Sequence, residues 1–133
     1  MDDKIFDKYR AELEQDLAID EFRVKETQLK LPSVKHKWVA RLIQHKQEKG
    51  KLASIRQETI DSVVAEIRNT SPIAISDRTV ITKAENTDSI RRIDSKIQEC
   101  GLMIDYLERV EKICSSVTYD IRNLIELHKL ETT

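Results

Sequence analysis

The sequence predicts an all-α protein of long helices, on three observations. Its 133 residues hold only two Gly and two Pro, and sheet corners, tight turns and phosphate-cradling loops lean on those residues. Apolar residues recur at helical spacing along most of the chain, and no run of them approaches the roughly 18 residues that span a bilayer. With 39% hydrophobic against 35% charged residues, core-forming material is scarce, which disfavours a compact enzyme. The start Met1-Asp2-Asp3 lacks the basic and apolar regions of a signal peptide, so a soluble, cytosolic chain with no membrane partner is expected.

The first element is a short amphipathic helix over 4–17, whose Ile5, Phe6, Tyr9, Leu13 and Leu17 form one apolar stripe in need of a docking partner. Asp20 is placed to cap a weakly apolar segment, Phe22, Val24, Leu29 and Leu31. That segment is expected to stop before Pro32, since a residue preceding proline is pushed out of the α region. A new helix of roughly 35 residues then begins with Pro32 in its first turn. It opens on Val34, Trp38, Val39, Leu42 and Ile43, loses every apolar residue across Gln44–Lys51, and regains a stripe with Leu52, Ile55, Ile60, Val63, Val64 and Ile67. The polar section, loosened by Gly50, should stand clear of the core and face solvent or a ligand.

Residues 69–87 mix Asn, Ser, Pro and Thr with two short β-prone runs, and are read as a loop or a small strand pair. The last 46 residues carry the clearest pattern. Ile90, Ile93, Ile97, Cys100, Ile104, Leu107, Val110, Cys114, Val117, Ile121, Leu124 and His128 advance by threes and fours, a heptad-like seam on one helix. A helix about 60 Å long offers more seam than the N-terminal helix covers, so self-association through these residues is expected. Met103, Ile113, Ile125 and Leu127 widen the stripe, which favours a bundle or higher-order assembly, and Ser115-Ser116 is a candidate kink. The organisation read from sequence is therefore an N-terminal helical region over 1–70, a linker over 71–87 and a helical oligomerisation region over 88–133.

Charge assigns the DNA-binding role. The formal net charge is -1, but residues 1–21 carry a net of -5 and residues 22–56 a net of +8, with ten cations set against Glu26 and Glu48. That density of Lys and Arg around one indole implies a polyanion partner, nucleic acid being favoured over a merely solvated helix face. The candidate contacts are Lys35, His36, Lys37, Trp38, Arg41, His45, Lys46, Lys49, Lys51 and Arg56. Trp38 has two readings: a stacking platform between Lys37 and Arg41, or a core residue beside Val39, Leu42 and Ile43.

Other chemistry is absent from the pattern. No Walker, dinucleotide-binding, nucleophile-elbow, metalloprotease or EF-hand motif occurs, and Gly50 and Gly101 cannot form a phosphate loop. Cys100 and Cys114 stand about 21 Å apart along one helix, too far to bridge within it. His36, His45 and His128 have no metal-ligand spacing, so no metal, cofactor or catalytic residue is expected.

Four motifs occur in order: L-x-x-D-L-x-I-D over Leu13–Asp20, K-H-K-W over Lys35–Trp38, I-D-Y-L-E over Ile104–Glu108 and T-Y-D-I-R-N-L-I-E-L-x-K-L over Thr118–Leu130. On these the chain resembles the UvsY family, recombination and repair mediators of T-even-type phages. The resemblance covers most of the chain and is strongest in the C-terminal third. It implies a non-enzymatic protein of the host-cell cytoplasm that binds single-stranded DNA, displaces or remodels the single-strand DNA-binding protein, and loads a RecA-like recombinase. It also implies a ring-shaped homo-oligomer, a hexamer or heptamer, joined through the C-terminal helices. The family's DNA-contacting element is a Lys-Ala-Arg-Leu-like segment, whose nearest counterpart here is K-L-A-S-I-R from Lys51 to Arg56. The competing class is a coiled-coil-like scaffold or adaptor whose basic helix is merely solvated.

Overall fold

A computed structural model of the chain describes residues 3–132; Met1, Asp2 and Thr133, which the sequence reading included in its terminal regions, lie outside the described residues. The described chain is all-α, with helices α1 (Asp3–Asp16), α2 (Val24–Thr70), α3 (Asp77–Glu85) and α4 (Asp88–Thr132), a 3₁₀ turn at Glu21–Arg23, and no strand. Asp20 caps that turn, its carboxylate accepting the Phe22 N–H at 2.9 Å.

Two boundaries differ from the sequence reading. The break at Pro32 is absent: α2 is one helix of 47 residues that passes through the proline. Pro32 forgoes one intrahelical hydrogen bond, but it is exposed, so the freed carbonyl one turn back can meet water. The neighbouring Leu31 is buried against Val117 and Ile121 and anchors the helix at that point. The second correction concerns 69–87, where no strand pair forms and only 71–76 and the two-residue turn 86–87 lie outside helices. Ser76 stands in an extended conformation and accepts the Thr79 N–H at 3.3 Å, starting α3, with Asp77 in the favoured first turn. Val80 and Ala84, four apart, are both fully buried on the core side of α3. Packing of that face overrides the β propensity of Thr79–Thr82.

The described residues form two compact units, residues 45–102 and residues 3–44 with 103–132. They do not follow the sequence division at 70 and 88, because α2 and α4 each contribute to both. Within 45–102, the core joins Ile60 of α2, Ala84 of α3 and Ile90 of α4, with Val63, Val64, Ile67 and Ile93 packed around them. Arg56 pairs with Asp94 while Ile60 packs on Ile90, so α2 and α4 run antiparallel in this unit. In the other unit Leu31 packs on Val117 and Ile121, flanked by Leu17, Ile19, Val24 and Ile125. Leu13, Trp38, Leu42, Met103, Ile104, Leu107, Val110 and Cys114 are buried there as well. Among the described residues no helix is long and apolar enough to cross a membrane.

Candidate nucleic-acid interface

The basic stretch of α2 divides into two environments. In residues 24–44 the densest run of candidates meets α1. Lys37 Nζ lies 2.5 Å from Asp16 Oδ2 and 3.4 Å from Glu12 Oε2, and Arg41 Nη1 lies 2.7 Å from Glu12 Oε2. Trp38 is 1% exposed and its indole N–H donates to the same Asp16 oxygen at 3.0 Å. Tyr9 meets the indole edge-on at 5.6 Å, and the Arg41 guanidinium sits 4.6 Å from the Tyr9 ring and 4.8 Å from the Trp38 ring. Hydrogen bonding from Arg41 holds the Glu12 carboxyl below its ordinary range, outweighing the upward push of burial, with Lys37 helping. With α1 in place the ring is core and presents no face to a base, the second of the two readings of Trp38. Lys35 is half-buried and His36 is exposed.

From 43 to 59 no side chain of α2 is buried. This polar section of helix carries Lys46, Lys49 and Lys51 exposed, with His45 half-buried. Lys49 and Lys51 have no carboxylate partner among the described residues. The Lys49 amine lies over Gly101, 3.6 Å from where a Cβ there would stand, which leaves its charge at the surface. Burial lowers the pKa of His45 against the opposing effect of Glu48, and burial raises that of Cys100. Arg56 is committed elsewhere, its Nε donating to Asp94 at 2.5 Å.

The α4 seam also has a different setting from the one expected. Ile90, Ile104, Leu107, Val110, Cys114, Val117 and Ile121 are buried within the single chain, Ile93, Ile97, Cys100 and Leu124 are half-buried, and His128 is exposed. The sequence reading counts only the short N-terminal helix as cover for these residues. In each unit α2 lies against α4 and supplies the missing surface. α4 leaves apolar side chains uncovered beside the seam: Ile113 and Leu127 are exposed, and Leu124 of the seam, only half-buried, lies on the same side.

Sequence reasoning missed Glu12 and Asp16 as partners of the basic helix. A signal was available: the two carboxylates are four apart, as are Lys37 and Arg41, so each pair occupies one helix face in matching register.

The family described as "Recombination, repair and ssDNA binding protein UvsY" matches residues 12–133. Crystal structures of the bacteriophage T4 recombination mediator protein UvsY share the fold. One crystal form aligns with a TM-score of 0.80 at 14% identity, covering 94% of this chain and 97% of that one. A second gives 0.78 at 12% identity, covering 96% and 97%. No curated protein sequence matches the chain.

Proposed function

Because the chain belongs to the UvsY family, we propose that it is a recombination mediator: it binds single-stranded DNA, remodels the single-strand DNA-binding protein there, and loads a RecA-like recombinase. The observation that carries this reading is the family match, which runs from residue 12 to residue 133 and takes in both long helices. The protein works without a catalytic residue or cofactor, in the cytoplasm of an infected cell.

The DNA contact is assigned to the polar section of α2. Lys46, Lys49 and Lys51 are exposed on a helix that commits no buried side chain there, so the backbone of a strand can reach them without opening a core. Such contacts position phosphates and read no sequence, which suits a mediator acting wherever single strands arise. Assembly into a ring of six or seven copies is assigned to the outward apolar side of α4, Ile113 and Leu127 with the half-buried seam residue Leu124. A ring multiplies weak basic contacts along one strand through effective concentration.

Titration of the full chain with oligothymidine over a range of salt, combined with native mass measurement, tests the proposal. Engagement of three lysines per subunit predicts a slope of log affinity against log salt of about -2 or steeper, from a species larger than a monomer. A salt-independent interaction, or no interaction, would favour the adaptor reading, and a monomeric mass would remove the ring.

A further inference from the structure

We propose that α1 is an internal competitor for single-stranded DNA, occupying a second strand-binding site on α2 made by Lys37, Arg41 and Trp38. The inference rests on the single-strand-binding reading above and concerns how much of the basic helix is open to a strand at a given moment.

The chemistry that α1 brings to α2 is that of a short piece of strand. Glu12 and Asp16 are two anions on one helix face, set where Lys37 and Arg41 reach them at 2.5 to 3.4 Å. Tyr9 is an aromatic ring laid against the Arg41 guanidinium and the edge of Trp38. Two cations with an indole are also the parts of a single-strand site, in which phosphates take the place of the carboxylates and a base takes the place of the phenol ring. Asp16 further accepts the indole N–H, a bond that a phosphate oxygen can accept equally well. The charge of the two segments agrees, since residues 1–21 carry a net of -5 and residues 22–56 a net of +8.

The hold of α1 suits a displaceable cover. Of its 14 residues only Leu13 is buried; Phe6 and Tyr9 are half-buried, and Leu17 just beyond the helix is too. An element with few buried contacts and partly exposed ion pairs belongs to the low-stability end of a structure and opens before the rest. Release of α1 would free two cations and expose the indole together. Free α1 would meet the repulsion of the strand's phosphates, so strand and helix exclude one another.

The paired variant Glu12→Gln with Asp16→Asn in the full chain tests the idea against oligothymidine. Weakening the cover should raise affinity severalfold at low salt and steepen the salt slope by about 1.4, or about 0.7 per released cation. Trp38 is the single tryptophan, so its fluorescence reports the site directly. Oligothymidine should quench it in the variant far more than in the unmodified chain. Asp7→Asn with Glu14→Gln makes the same change in net charge without touching Lys37 or Arg41, and should leave slope and quenching as they were. If the unmodified chain binds and the Glu12/Asp16 variant shows the same slope and no added quenching, α1 is only a structural prop and the proposal falls alone. If neither protein binds the strand, the single-strand reading falls and takes this one with it. Should the paired variant lose helicity, Glu12→Gln alone leaves Asp16 to hold Lys37 and Trp38, and an unchanged slope in that variant would equally overturn the proposal.

Discussion

Residues 35–41 and residues 45–51 of α2 look alike as sequence, each a run of lysine, histidine or arginine in a continuous helix, yet they have opposite fates. In the first run Lys37 and Arg41 close on carboxylates of α1, and Trp38 between them is core. In the second run no side chain is buried and the lysines stay at the surface. The difference teaches that charge density locates a basic helix but not its interface. What decides is whether the same turn of helix also carries a large apolar residue, because that residue draws a packing partner, and the partner brings its own charges to the flanking cations.

The largest effect separating the two runs is expected at Trp38. Trp38→Ala removes a fully buried indole and the hydrogen bond to Asp16, which should cost about 3–5 kcal/mol of stability in urea unfolding. A variant of native stability would instead mean that the ring is no part of the core. The second run should respond in the opposite way. Replacing Lys46, Lys49 and Lys51 together by Ala should leave helicity and unfolding midpoint near those of the native chain, since Ala is the better helix former. The salt slope for oligothymidine should weaken by about 2, from three lost contacts. Retention of both affinity and slope would move the interface away from 45–51 and leave the two runs equivalent after all.

The contrast also marks how far the sequence could be read. Helical class, the apolar stripe of α1, the capping Asp20 and the polar section of α2 all follow from spacing and residue type, which act locally. The misreadings came where a distant segment decided. Thr79–Thr82 is β-prone in isolation, but Val80 and Ala84 face a core supplied by Ile60 and Ile90, a contact invisible to a local window. Pro32 signals a helix start by its own geometry, while Leu31 beside it is held by Val117 and Ile121 of α4. The α4 seam showed its periodicity plainly, and a seam is the same pattern whether it faces a second copy or a long helix of its own chain. The DNA candidates suffered likewise: every cation was visible, but the carboxylates that claim Lys37, Arg41 and Arg56 lie 21 to 38 positions away in the chain.

The smallest effect, and the sharpest probe of the masked run, is its response to pH. A carboxyl held below its ordinary value of 4.5 gives up its proton more readily folded than unfolded. The ion pairs of Glu12 therefore contribute their full stabilisation above that ordinary value, and lose it as the pH falls through the lowered one. Because the side chains involved are partly exposed, the contribution should lie in the range of about 0.2–1 kcal/mol found for exposed pairs. Urea midpoints of the native chain and of Glu12→Gln should thus differ slightly at pH 7 and converge as acid protonates Glu12. Replacing Lys49 and Lys51 alone by Ala should show no such convergence with the native chain, neither having a carboxylate partner among the described residues to lose. A gap between native and Glu12→Gln that persists undiminished once Glu12 is protonated would mean that shape, and not charge, holds α1 on the basic helix. Acid and a competing strand would then have nothing in common as means of lifting it.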